Sequence, residues 1–171
     1  MKKIIVLFLL AGIIISCANT GGSMTDAERN SERVIPGSND QVSSGDFSDA
    51  AGIEWKLTGV IINGVSTQYS RSTLSENFSE SFTLKFDGEM ISSRGAPNLY
   101  SAPYTLGNNN SISALIGRST LMAAIFEPEH LKEYDFFRYL QYINTWQLSG
   151  GKLELSSLLD DGITVQLLFE K

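Results

Sequence analysis

The sequence has little of the residues that carry catalysis: it contains one cysteine and one histidine among 171 residues. It therefore lacks an HExxH motif, a zinc knuckle and a Cys–His pair. A Ser-His-Asp triad would depend on His130 alone, and no G-x-S-x-G motif accompanies it. We interpret His130 as a solvated residue. The composition predicts no catalytic residue, no metal site and no cofactor.

Paired acidic residues have simpler interpretations than a catalytic dyad. Glu127 and Glu129 suit the positive end of a helix. Asp160 and Asp161 precede a glycine and are typical of a turn. A two-carboxylate glycosidase remains open in principle, but no motif indicates one. An envelope hydrolase, which would have to use His130, is the most remote of the hypotheses.

Basic residues are also few, since 13 Lys and Arg stand against 19 Asp and Glu, with a net charge of −6. Without Lys2 and Lys3 the charge becomes about −8. Nucleic-acid binding requires basic residues that neutralise phosphates, so this charge disfavours a nucleic-acid partner. It equally disfavours a polybasic attachment to anionic lipid headgroups.

The N-terminus carries an export signal. Two lysines precede an apolar run from Ile4 to Ile15 that would span only ~18 Å as a helix, too short for the ~30 Å hydrocarbon layer. The run ends in Ile14-Ile15-Ser16-Cys17, which resembles a bacterial lipobox. The resemblance implies a diacylglycerol on Cys17, cleavage after residue 16 and further acylation of the new N-terminus; two acyl chains suffice for stable anchoring. The alternative is an ordinary signal peptide with a buried cysteine.

The first two parts of the mature chain differ in composition. Residues 18–52 are rich in Ser, Gly, Asn and Asp and nearly free of large apolar residues, which predicts a flexible tether over residues 17–52. The folded domain is expected over residues 53–171, a length that suits one core.

Alternating apolar positions predict several strands in this domain. The sequences EWKLTGVIIN, SFTLKF, EMISS, LYSAPYTL, SISALI, TWQLSGGKLEL and DDGITVQLLF each indicate extended structure. Asn63-Gly64 predicts a hairpin, and residues 66–79 are interpreted as polar loop. Pro103 is expected at a sheet edge or a bulge because it cannot donate a hydrogen bond.

One stretch instead has helical spacing. From Pro128 onward, large apolar residues recur every three or four positions as far as Ile143, which predicts an amphipathic helix of about four turns. The short connections favour an antiparallel sheet. The expected fold is α+β: a strongly curled antiparallel half-barrel wrapped around one helix.

The order of these motifs resembles the META family, which includes the heat-inducible HslJ-type envelope proteins. The resemblance covers about residues 53–171 and rests on a set of ordered segments. These are Trp55-Lys56-Leu57, TLKFDGEM, Gly95 to Tyr100, Tyr104-Thr105-Leu106, Thr120 to Ala124, Phe137 to Leu140 and KLEL.

The family pattern also indicates where this chain departs and where it could bind. Pro97 and Ala124 replace two cysteines of the family pattern, so no thiol-dependent property is carried over. Asn98 and Tyr100 fall in the family motif; they are candidates for a recognition surface, or else a turn asparagine and a packed tyrosine.

These observations predict a lipid-anchored, non-enzymatic envelope domain. Because Ala18 rather than aspartate follows Cys17, we expect the outer membrane, facing the periplasm. The family resemblance implies a role in envelope integrity or stress through a protein partner. The alternative is a carrier or chaperone that binds an acyl chain or another apolar ligand between the helix and the sheet, where the aromatic stripe would line a pocket instead of a core.

Overall fold

The computed structural model describes residues 45–71, 80–125 and 127–171, so the predicted signal peptide, Cys17 and most of the tether lie outside the described residues. In chain order the elements are a 3₁₀ helix Phe47–Asp49, β1 Glu54–Ile62, β2 Val65–Gln68, β3 Thr83–Asp87, β4 Met90–Arg94, β5 Leu99–Leu106, β6 Ile112–Ala114, β7 Arg118–Ser119, α1 Glu133–Gln141, β8 Ile143–Ser149, β9 Lys152–Leu158 and β10 Thr164–Glu170.

The strands form an antiparallel sheet in the order β6-β5-β4-β3-β1-β10-β9-β8, with β2 added beside β1 and β7 beside β5. The two end strands approach each other: Ser111 pairs with Thr145, and the Trp146 N–H donates to the Asn110 carbonyl at 3.0 Å. The sheet is therefore nearly closed, and the predicted curled half-barrel with a single helix is confirmed.

The hairpin predicted at Asn63-Gly64 joins β1 to β2. Both residues have positive φ, 48° and 82°, as a two-residue hairpin turn of type I′ requires. The prediction of polar loop over residues 66–79 was wrong for residues 66–68, which belong to β2 and pair with β1. This strand is mostly exposed, so its sequence shows no apolar alternation that could have indicated it.

Pro103 lies inside β5, where its missing N–H leaves no bond unmade. β7 pairs with the first half of β5 and β6 with the second half, and Pro103 lies between the two. Its carbonyl accepts from the Leu115 N–H at 2.8 Å. A proline is tolerated here because β5 changes its pairing partner from β7 to β6 at this position, and no backbone N–H is needed between the two.

The helix is shorter than predicted, because α1 begins at Glu133 and ends at Gln141. His130 has a positive φ of 60° and Lys132 is extended, so the chain turns before the helix begins. Leu131 and Ile143 are both buried, but from the turn and from β8 respectively. The apolar spacing reflected their burial and not their secondary structure.

The folded domain also begins earlier than residue 53, because residues 45–52 pack on the sheet. The Phe47 ring lies 4.9 Å from Phe86, 5.7 Å from Tyr104 and 5.0 Å from Trp146, centroid to centroid. Its partners belong to β3, β5 and β8, so one side chain joins strands from both ends of the sheet. The Trp55 indole N–H donates to the Ala50 carbonyl at 2.9 Å and fixes the same segment.

We predict that Phe47→Ala lowers the free energy of unfolding by about 3–4 kcal/mol, because it leaves a cavity among three aromatic rings. Val65→Ala, at a side chain that is 71% exposed, should change it by no more than about 0.5 kcal/mol. Urea unfolding of both variants measures the difference. Equal small changes would mean that residues 45–52 are dispensable for the fold.

Candidate functional site

Residues 115–125, here called the apolar segment, lead from β6 through β7 towards α1 and expose large apolar side chains. Ile116 is 90% exposed, Leu121 95% and Ile125 72%. We call the exposed set the apolar face; its members are Leu115, Ile116, Leu121, Met122, Ile125 and, from α1, Tyr134. Soluble proteins rarely leave many large apolar side chains together in water, so such exposure marks a candidate binding surface.

Asn98 fixes the middle of the apolar segment from below. Its Oδ1 accepts from the Met122 N–H at 2.7 Å and from the Thr120 hydroxyl at 2.9 Å, and its Nδ2 donates to the Met122 carbonyl at 2.8 Å. Both main-chain groups of Met122 are therefore bonded to one side chain, which is itself 5% exposed. Leu121 and Met122 project outward from a backbone that is held in place.

Glu133, in the first turn of α1, links this asparagine to the helix. Its carboxylate is buried and accepts from the Asn98 N–H at 2.7 Å, from the Asn98 Nδ2 at 2.6 Å and from the Ala96 N–H. Gly95 passes so close that a Cβ there would overlap the carboxylate. A buried carboxylate is tolerated only with such donors, so the 95–98 turn and the helix start form one unit.

Gln141, in the last turn of α1, fixes the beginning of the apolar segment. Its Nε2 donates to the Leu115 carbonyl at 2.7 Å, and its Oε1 accepts from the Gly117 N–H at 2.9 Å and the Tyr100 hydroxyl at 3.2 Å. The Tyr100 ring stacks on Phe137 at 5.4 Å. A Cβ at Gly117 would come within 2.5 Å of that ring, so this approach requires glycine.

The helix thus has two faces that contact different parts of the domain, and the residues on each face are spaced four apart in the sequence. Phe136 and Leu140 are fully buried in the core, where Phe136 lies 5.3 Å from Phe82. Glu133, Phe137 and Gln141 instead face the apolar segment. The sequence analysis did not single out Glu133 or Gln141; the available signal was their spacing of four and eight residues around Phe137.

Asn98 and Tyr100 do lie at this site, although neither is exposed: their exposed fractions are 5% and 6%. They support the exposed surface and do not themselves form it. Pro97 and Ala124 lie on segments that the structure brings together, since the Ile125 N–H donates to the Ala96 carbonyl at 3.1 Å. Cys17 lies outside the described residues.

Two open hollows lie beneath the apolar face, on either side of Tyr134 and Phe137. One, of about 240 Å³, adjoins Asn98 and Met122; the other, of about 280 Å³, adjoins Tyr100 and Arg118. Both are smaller than the roughly 300–1,000 Å³ of typical ligand pockets. The aromatic stripe of the helix, which could have lined a pocket, is instead divided between the core and this site.

Other candidate residues lie elsewhere. The His130 side chain is 68% exposed, with its Nε2 3.2 Å from a Glu129 carboxylate oxygen. Asp160 accepts from the Tyr142 hydroxyl at 2.7 Å, and Asp161 accepts from the Ile163 N–H and from Arg138, as turn residues do. Within residues 45–71, 80–125 and 127–171 no group of three or more His, Cys, Asp and Glu could hold a metal ion. Nor is any helix in those ranges long and apolar enough to cross a bilayer.

Comparison with known families agrees with this architecture. The sequence matches the META domain over residues 48–169, which includes the site and nearly the whole fold. The chain belongs to the META domain family. The expected resemblance is thereby confirmed, and the match also begins before residue 53.

Solved structures provide a further comparison for this META domain. The NMR structure of a protein from Burkholderia xenovorans has a TM-score of 0.53 at 19% identity, covering 86% of this chain and 99% of that one, which shows a shared fold. The crystal structure of a DUF4847 family protein from Bacteroides vulgatus has a TM-score of 0.46 at 9% identity, covering 72% of this chain and 96% of that one, and we draw nothing from it. A search of curated proteins gave no match.

We predict that Asn98→Asp destabilises the META domain by about 2–3 kcal/mol at neutral pH. The new carboxylate keeps the acceptor for Met122 but replaces the amide donor with an oxygen that faces Glu133. Asn109→Asp, at an exposed turn, is the matched control. Urea unfolding measures the loss, and hydrogen exchange should show faster exchange at Met122. An unchanged Met122 rate would contradict the role assigned to Asn98.

Alkaline titration tests the burial of Tyr100. Burial raises the pKa of its hydroxyl from 10.0 to about 12. The unfolded chain therefore loses this proton near pH 10 while the folded chain keeps it, so the stability that the neutral hydroxyl contributes is present below pH 10 and lost as the pH rises towards 12.

We expect Tyr100→Phe to reduce the decrease in unfolding free energy between pH 10 and 12. The reduction should be partial, because burial also raises the pKa of Tyr69 to about 12. Tyr134→Phe, at a side chain that is 75% exposed, should leave the decrease unchanged. If Tyr100→Phe behaves like this control, the Tyr100 hydroxyl ionises as freely in the folded chain as in the unfolded one.

Proposed function

We propose that this META domain is a lipid-anchored, non-enzymatic component of a bacterial envelope that acts by binding through the apolar face. The observation that carries the proposal is that residues 115–125 combine exposed apolar side chains with a backbone held by buried hydrogen bonds. Leu121 and Met122 are exposed, yet buried Asn98 bonds to the main chain between them and Glu133 fixes Asn98.

Binding fits the composition of the chain better than catalysis does. Among the described residues no group of three or more His, Cys, Asp and Glu could hold a metal ion, and His130 lies at the surface. The description of the META family refers to no reaction. We further propose a contribution to envelope integrity or stress tolerance, in keeping with the HslJ-type resemblance.

The anchor follows from the lipobox-like Ile14-Ile15-Ser16-Cys17. Lipid on Cys17 would leave the mature chain with no free thiol, and Ala18 favours the periplasmic face of the outer membrane. Residues 18–44 then remain as the tether, since residues 45–52 belong to the fold.

A carrier function is less well supported than binding at the surface. An apolar ligand between helix and sheet would have to displace Phe136 and Leu140, which are fully buried. The two hollows beside α1 are also small for an acyl chain.

Cys17→Ser tests the anchor in the bacterial cell. We expect the wild type to incorporate radiolabelled palmitate and to fractionate with the outer membrane, whereas Cys17→Ser should do neither. Ser38→Ala, in the proposed tether, is the control and should behave as wild type. Equal membrane attachment of Cys17→Ser would contradict the proposal.

The same cells test the binding face. With Cys17 acylated, Leu121→Cys supplies the sole thiol, and a maleimide reagent should label it more slowly in the intact envelope than in the purified protein. Val65→Cys is the control, since Val65 is also an exposed apolar residue but is not part of the apolar face; its labelling rate should be the same in the intact envelope and in the purified protein. Equal labelling at position 121 would show that nothing covers the face.

A further inference from the structure

We propose that the apolar face inserts into the lipid interface of the membrane that holds Cys17, so that the domain touches the bilayer with its own surface as well as through its acyl chains. This inference rests on the proposed lipid anchor and names the occupant of the same face. It commits to lipid, and the alternatives of a protein partner and a second copy of the chain are outcomes of the test.

The backbone beneath the face is suited to lipid because its polar groups are bonded on the protein side. Asn98 bonds both the N–H and the carbonyl of Met122, and Gln141 bonds the Leu115 carbonyl and the Gly117 N–H. In lipid, an unbonded peptide group costs several kcal/mol because no water can replace the missing partner. These bonds let Met122 leave water without isolating its main chain, and they do the same for the bonded groups of Leu115 and Gly117.

The chemistry of the exposed side chains fits the same environment. Five of the six are aliphatic or methionine, and the sixth, Tyr134, is 75% exposed. Tyrosine is enriched at the level of the headgroups, where its ring is apolar and its hydroxyl is hydrated.

The apolar segment itself contains Arg118 and no acidic residue, while Glu127 lines the hollow beside Met122 and Asp135 follows Tyr134 in α1. The chain carries 19 acidic residues, yet none lies between Glu89 and Glu127, where the charged residues are Arg94 and Arg118. Both arginines are exposed. An acidic protein approaches anionic lipid with least repulsion through such a region.

The tether makes the contact accessible. Residues 18–44 are 27 positions in the sequence, which even fully extended could span no more than about 100 Å. The proposed anchor therefore keeps the domain near the lipid surface, where rotation can bring the face into contact.

Depth-dependent fluorescence quenching tests the inference. The mature lipidated protein carrying Leu121→Cys is labelled with an environment-sensitive dye and incorporated into vesicles of phosphatidylethanolamine and phosphatidylglycerol. A fraction of the lipid carries a nitroxide on the acyl chain. We expect the dye at position 121 to shift to shorter wavelength and to be quenched, whereas the dye on Val65→Cys should show neither effect.

A second variant separates insertion from mere proximity. Ile116→Asp changes a side chain that is 90% exposed, so it should leave the core undisturbed. With the dye at position 121 as the reporter, the variant should lower the ratio of membrane-inserted to free domain roughly tenfold or more. Ser113→Asp, exposed on β6, adds the same charge outside the face and should lower it much less.

Each other outcome overturns the inference in a distinguishable way. Position 121 protected in the intact envelope but unquenched in vesicles means that a protein covers the face: the proposed function stands and the lipid contact fails. A dye shift that depends on protein density, without nitroxide quenching, assigns the face to a second copy. Absence of palmitate on Cys17 removes the proposed anchor itself, before any vesicle is prepared.

Discussion

The buried carboxylate of Glu133 is the constraint on which the candidate site depends. A carboxylate out of water needs several donors, and here the N–H groups of Ala96 and Asn98 and the Asn98 amide supply them. Because the same amide group of Asn98 also bonds Met122, satisfying one buried charge places an exposed loop. Loss of these bonds would loosen the loop while leaving the sheet intact, which makes the site a separate unit of local stability.

The short helix connects the core to the apolar segment, because it contacts both. With nine residues, α1 would hardly be stable alone, so its stability comes from contacts on both sides. Phe136 and Leu140 fix its position on the sheet. Glu133, through Asn98, then fixes the middle of the apolar segment, and Gln141 fixes its beginning. The backbone beneath the apolar face is therefore held by the helix, although the side chains of the face are in water.

The sequence predicted most of the sheet because strands with one buried face alternate apolar and polar residues. The prediction failed where the pattern of apolar residues did not follow the secondary structure. β2 is exposed on both sides and has no alternation. Leu131 and Ile143 continued the helical spacing although neither is helical. Residues 45–52 look like tether because a single aromatic ring, Phe47, supplies most of their core contact. Glu133 and Gln141 acquire their roles from partners up to 41 residues away, which no local pattern indicates.

The proposed anchor and the proposed lipid contact strengthen each other. A few aliphatic side chains bind a bilayer weakly when the domain is a separate molecule, but a covalent link to an acylated Cys17 would turn that binding into an intramolecular event at a raised effective concentration. The face can therefore remain small enough to avoid self-association in water and still be occupied at the membrane. Arg118, the one charged residue of the apolar segment, would favour the proposed approach of this face to anionic lipid.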